Sequence, residues 1–194
     1  MNALPVNAFQ RRAGKIIPQC LSTFGLDLTG LTVLTEAATG SYLYSPVIAA
    51  LAGAERVFAF TRDSSYGSKE LVRELTLQAA AEWKVHERIE VVFEKRPDTV
   101  QRCDIVTNTG FVRPIDRAMV SLMKPTAVIP LMWETWEFRK EDLDLDACRE
   151  KGILVLGTDE NTAPLSLYPA VGFLAMKLLF ELGVEGYDST VLLL

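Results

Sequence analysis

Histidine is almost absent from this chain: His86, in "WKVHERIEV", is the only one among 194 residues. Cysteine is scarce and odd in number. Cys20, Cys103 and Cys148 lie far apart, without the paired spacing of a zinc site and with no histidine beside them, so no metal is expected. Three unpaired thiols fit a reducing compartment. No run reaches the roughly 18 apolar residues that a membrane span needs, and "MNALPVNAFQRRAGKIIPQC" has no apolar core of signal-peptide length. A soluble, cytoplasmic protein is the expectation. Positive charge is in deficit too. The formal net charge is −5 and no basic stripe occurs, which argues against nucleic acid as a partner. Neither a P-loop nor a nucleophile elbow is present.

What the chain does have is rhythm. A short β-rich apolar run, a turn and a helical pattern recur from residue 31 onward. "LTVLTEA" (31–37) reads as a first strand, and "SPVIAALAGA" (45–54) as its helix, with Ser45 as N-cap and Pro46 as first helical residue. "RVFAFTR" (56–62) is a second strand, and 68–83 a long amphipathic helix. Strands follow at 89–95, 103–109, 127–133 and 153–158, with helices at 114–123, 141–152 and about 166–182. The helix at 114–123 is expected to begin at Pro114. Strands such as "VFAF" and "ILVL" lack polar alternation, as when both faces are covered. The pattern predicts an α/β fold, a doubly wound parallel sheet of about six strands in a flavodoxin- or Rossmann-like three-layer sandwich. Residues 1–30 are expected to form an arm or helix packed on a core spanning 31–183. In such sheets ligands sit beyond the carboxyl ends of the strands, in the loops after Thr35, Thr61, Thr107, Trp133 and Thr158.

Several of those loops carry candidate residues. "EAATGSYLYSP" joins a strand to a helix, so its backbone N–H groups could hold an anion. A nucleotide there, NAD(P) or S-adenosylmethionine, would meet Thr39, Gly40, Ser41 and Ser45, with Asp63 near the ribose. Only Gly40 stands where a pyrophosphate fingerprint has three glycines, and a polar βα loop explains the stretch as well. "TNTGF" offers Thr107, Asn108, Thr109 and Gly110, whose backbone N–H groups could meet a small anion, although Asn-Thr-Gly is also ordinary turn chemistry. In "LMWETWEFRKED", Trp133, Glu134, Trp136 and Glu137 could form an acid–base pair beside indoles. Packing or an interface suits them better. His86 falls at the amino end of the third strand, away from the ligand edge. Cys103 and Cys148 read as structural.

The second half of the chain resembles the substrate-side domain of D-2-hydroxyacid dehydrogenases. The residues that carry this are Leu143-Asp144-Leu145 with Ala147, Lys151-Gly152-Ile153, Asn161-Thr162-Ala163 and the apolar helix from about Ser166. Upstream, "CDIVTNTGFVRPIDRAMVSLMKPTAVI" is similar to the family's strand, substrate loop, helix and next strand. The resemblance covers residues 103–183. Where the family has a glycine-rich turn after the fifth strand, this chain has the bulkier "MWETWEFRKED". The resemblance implies an oxidoreductase in which this domain supplies one wall of the cleft. NAD or NADP would be bound mainly by a cofactor domain not in this chain, and 184–194 would be the start of that domain's first strand. None of the family's catalytic Arg, acid or His falls within the matching residues. On this reading Thr107, Asn108, Thr109 and Gly110 meet a small carboxylate substrate, and the domain alone does not transfer hydride. The exposed edge left by a missing domain also predicts a homo-oligomer. A non-catalytic interaction or regulatory domain that kept the fold is the alternative from another class, and a stand-alone nucleotide binder at the Gly40 loop is the third.

Overall fold

The computed structural model describes residues 8–166, 168–184, 187–188 and 190. The chain divides after Gly157 into two compact units. The strand expected toward the end of 184–194 lies outside the described residues.

In the first unit, six strands form one parallel sheet: β1 (Thr32–Glu36), β2 (Arg56–Phe60), β3 (Ile89–Val92), β4 (Ile105–Val106), β5 (Val128–Glu134) and β6 (Leu154–Thr158), the last running to the unit boundary. Their order is β3-β2-β1-β4-β5-β6. The chain therefore starts in the middle, builds outward to β3, crosses back and builds outward on the other side. β1 and β2 are rich in β-branched and aromatic residues and buried on both sides, as central strands require. β6, at the sheet edge, leaves Leu154 and Leu156 half exposed, so "ILVL" is not covered on both faces as its lack of alternation suggests.

Side chains alternate between two cores, as the two-residue period of a strand requires. On β2, Val57 and Ala59 join one cluster while Phe58 and Phe60 join the other. On β1, Val33 and Leu34 divide in the same way. The first core is closed by α1 (Ala8–Phe24), α2 (Ser45–Leu51) and α3 (Lys69–Glu82), through Ile17, Val47 and Val72. The second is closed by α4 (Pro97–Arg102), α5 (Arg117–Leu122) and α6 (Leu145–Lys151), through Val100, Met119 and Ala147. Three layers result, the doubly wound arrangement that the alternation of the sequence predicts.

The differences from expectation are local and have local causes. Helix α2 starts one residue earlier than its capping pattern suggests. A 3-10 turn over Gly40–Tyr44 runs directly into it, so Tyr44 occupies the cap position and Ser45 is already helical. Helix α5 starts later than Pro114, because the Asp116 carboxylate accepts the Met119 N–H at 2.8 Å and makes the better cap. Ser68 and Asp144 cap α3 and α6 in the same manner, from Leu71 and Ala147. The one-turn helix α4 leaves no mark in the periodicity. At six residues, with Pro97 as its first, it is too short to register an apolar stripe.

The second unit contains a 3-10 turn at Ala163–Leu165 and helix α7 (Tyr168–Glu181). Asp159 orders the approach to the turn by accepting the Asn161 N–H at 3.0 Å. Lys177 and Glu181 pair one turn apart on α7 at 3.5 Å. Among the described residues, no helix is long and apolar enough to cross a membrane.

Candidate functional site

Strand order reverses between β1 and β4, and the crevice beyond their carboxyl ends is where doubly wound sheets hold ligands. A cleft of about 600 Å³ opens there, within the range of small-molecule sites. Its walls come from the segment after β1 (Thr39, Gly40, Ser41), from Arg62 after β2, and from Gly110 and Arg113 after β4. Glu36, the last residue of β1, also lines it.

Glu36 is the unexpected member. It ends a strand whose other residues are apolar or threonine, and only 4% of its surface is exposed. The Phe111 N–H donates to Oε2 at 3.1 Å, while Oε1 accepts nothing from the described residues. Burial raises its pKa, opposed by the Phe111 N–H and the nearby Arg113 guanidinium. Gly110 explains how the loop comes so close. A Cβ there would sit 3.3 Å from Glu36 Oε2 and 3.8 Å from an Arg113 nitrogen, so any larger residue presses on the carboxylate.

The two cleft arginines are not equivalent. Arg113 forms an ion pair with Asp142 at 2.8 Å, and its guanidinium lies 4.7 Å from the centroid of the Trp133 ring. Arg62 is exposed and lies 5.6 Å from the Phe111 ring centroid, with no ion pair among the described residues. It is the cation left open to an anionic ligand. The loop that carries Arg113 is held by Lys95, whose ammonium donates to the Val112 carbonyl at 2.9 Å and the Pro114 carbonyl at 3.3 Å. Burial lowers the Lys95 pKa, opposed by the nearby Asp116 carboxylate and reinforced by the Arg62 guanidinium.

Of the residues singled out from "TNTGF", Gly110 reaches the cleft wall. The Thr107 hydroxyl donates to Thr35 Oγ1 at 3.0 Å and lies 3.0 Å from Thr109 Oγ1. Asn108 is buried, and its Oδ1 accepts the Met132 N–H at 2.8 Å, tying the loop to β5. These three side chains hold the loop; they do not line the cleft. Thr39, Gly40 and Ser41 do line it, and Gly40 has the positive φ of +63° that glycine adopts without strain. Ser45 lies inside α2, and Asp63 is turned to the Lys69 N–H at 2.9 Å, at the start of α3.

The tryptophan segment divides. Trp133 is buried beneath Arg113 and Arg139, whereas Trp136 is exposed and donates its indole N–H to Glu134 at 2.7 Å. His86 lies in a 3-10 turn before β3, at the opposite end of the sheet from the cleft. Burial pushes the thiol of Cys103 up to about 12 and that of Cys148 up to about 11, which makes both inert as nucleophiles at neutral pH. No cluster of three or more His, Cys, Asp or Glu suited to a metal occurs among the described residues.

Glu36 has a pH consequence with a definite sign. Because its folded pKa lies above the ordinary 4.5, its contribution to stability is present below the unfolded value and is lost as pH rises through the folded one. Glu36→Gln keeps an acceptor for Phe111 and has no charge to bury. Thermal melts from pH 4 to 7 should therefore show the variant gaining on the wild type as pH rises. A difference in melting temperature that stays constant over that range would show that Glu36 titrates as it does in the unfolded chain.

No family model matches the sequence, and no curated protein matches it. Solved structures match the fold. A dipicolinate synthase chain from Bacillus subtilis is 18% identical with a TM-score of 0.55, over 89% of this chain and 53% of that one. Its counterpart in the dipicolinate synthase of Bacillus halodurans is 17% identical with a TM-score of 0.54, over 87% and 53%. Shikimate 5-dehydrogenase from Listeria monocytogenes, solved with shikimate and NAD, is 14% identical with a TM-score of 0.50, over 72% and 50%. The chain thus spans about half the length of these structures. At such identities the likeness is one of architecture, and the chain has the Rossmann-like α/β fold found in these proteins.

Proposed function

We propose that this chain is the substrate-side half of an NAD(P)-dependent oxidoreductase acting on a small carboxylate, with the nicotinamide held mainly by a second domain. Glu36 carries the reading. A buried carboxylate at the base of the switch-point crevice repels the pyrophosphate that a dinucleotide would place there, whereas a phosphate-binding turn keeps that spot for glycine and backbone N–H groups. Arg62 supplies an open cation for a substrate carboxylate, and the loop of Gly110 supplies a close backbone wall. Hydride transfer needs a nicotinamide held against the reacting carbon, and a domain closing over this cleft would bring it there. The 2-hydroxyacid class suggested by residues 103–183 fits a site of this polarity.

Calorimetric titration with NAD, NADP and S-adenosylmethionine should show no binding in the micromolar range. Small 2-hydroxy or 2-keto acids should raise the melting temperature of the same chain. Micromolar binding of a dinucleotide would falsify the proposal. It would favour a second reading, a nucleotide in this cleft, for which the strand order and Arg62 speak. The order β3-β2-β1-β4-β5-β6 is that of dinucleotide-binding sheets, where an arginine in this region accommodates a 2′-phosphate.

A further inference from the structure

The cleft is polarised, and its polarity narrows what can fill it. Glu36 closes β1, whose register with β2 runs to Glu36↔Phe60, and it is 4% exposed, with Oε2 fixed by the Phe111 N–H. A buried carboxylate needs compensation. The chain provides one hydrogen bond, from Phe111. The nearest guanidinium, Arg113, is engaged by Asp142 and by the face of Trp133. No other cation is paired with Glu36 among the described residues. Glycine at 110 keeps the space beside Oε2 clear of side chain. Arg62 presents the opposite situation, an exposed guanidinium without a carboxylate. One under-compensated anion and one unpaired cation therefore line the same cleft.

We infer that the cleft takes a small zwitterion, an amino acid or a metabolite of that kind, whose ammonium group meets Glu36 while its carboxylate meets Arg62. This rests on reading the cleft as a substrate site. A hydroxyl group would also donate to Glu36, but it leaves the buried charge unneutralised. An ammonium group donates and neutralises together, and such charge-assisted bonds are about twice as strong as neutral ones. Arg113 favours the same ligand indirectly. Held by Asp142, it stabilises the ionised form of Glu36 from a distance without occupying the place of the ammonium group.

The test uses matched sets of 2-amino, 2-hydroxy and 2-keto acids that share a carbon skeleton, titrated calorimetrically into the full chain at neutral pH. In at least one set the 2-amino acid should bind about 10-fold or more tightly than its two partners, a difference of about 1.4 kcal/mol. Glu36→Gln, checked for folding by circular dichroism, should remove that preference while leaving the 2-hydroxy and 2-keto acids little changed. Arg62→Gln should weaken all three by about the same tenfold. If 2-hydroxy and 2-keto acids bind and the amino acid gains nothing over them, the inference fails while the substrate-site reading stands. If the preference survives in Glu36→Gln, the ammonium is bound elsewhere and the inference also fails. If no acid in any set binds, both fall together. The wild-type comparison decides the matter even if a variant does not fold.

Discussion

Truncating Phe58 to alanine should destabilise the chain by about 3–5 kcal/mol, the range for deleting a fully buried aromatic side chain. Phe58 is 2% exposed and sits in the middle of the sheet. Its register partner on β1 is Leu34, which is itself opposite Val106 on β4, so one apolar row crosses the switch point. This row is what the short helices of the second layer rest on. Helices α4, α5 and α6 have only six, six and seven residues, lengths at which an isolated helix is not stable in water. Their order must come from burying Val100, Met119 and Ala147 against the sheet. Phe58 also carries the Arg102 guanidinium 5.2 Å from its ring centroid, so alanine removes a cation–π contact from the end of α4. Urea unfolding followed by circular dichroism should show a lower midpoint with an unchanged slope. Phe58→Leu, which keeps most of the volume, should cost less than about 1.5 kcal/mol. A loss below about 1 kcal/mol for the alanine variant would mean that the second layer does not depend on this row.

The fold was legible because it is written in local patterns. Apolar strands bounded by turns, and helices with an apolar stripe such as α3, need only a window of about a dozen residues to be seen. The ligand edge followed from topology, and the loops after Thr35, Thr61 and Thr107 do border the cleft. The side chains that give the cleft its chemistry were not legible. Glu36 looks like the polar end of a strand until the fold shows that it is buried, and its hydrogen-bond partner Phe111 lies 75 residues away. The signal that could have found it was an acid closing an apolar run at the ligand edge. Arg113 is paired with Asp142, 29 residues further on, which no local pattern relates to it. In "TNTGF" the polar residues looked available, yet Thr107 bonds to Thr35 and Thr109, and Asn108 Oδ1 is taken by the Met132 N–H of β5. Short polar side chains on a buried loop find partners within the protein first, because leaving them unpaired is costly.

Asp142→Ala should lower stability by about 1–3 kcal/mol, below the 3–5 kcal/mol of a fully buried pair because both side chains are about one-fifth exposed. The damage is to Arg113, which keeps its charge against the face of Trp133 and loses the carboxylate that balanced it. Removing the stranded charge as well should help: Arg113→Met combined with Asp142→Ala should be at least as stable as Asp142→Ala alone. The double-mutant cycle should give a coupling of about 1 kcal/mol or more, since the two groups are in direct contact. Coupling near zero would mean that the 2.8 Å pair contributes nothing beyond its two separate side chains. The same variant also reports on the cleft. Freed from Asp142, Arg113 has Glu36 as its nearest alternative carboxylate, since a Cβ on Gly110 would lie within 4 Å of both groups. An Arg113–Glu36 pair would occupy the anion at the base of the cleft, and the preference for 2-amino acids should then fall by about tenfold. Arg113→Met on the same background should restore that preference, because nothing then competes for Glu36. Asp142 would thereby keep the arginine off the glutamate, and a preference unaffected by either substitution would show that Arg113 remains on Trp133 without it.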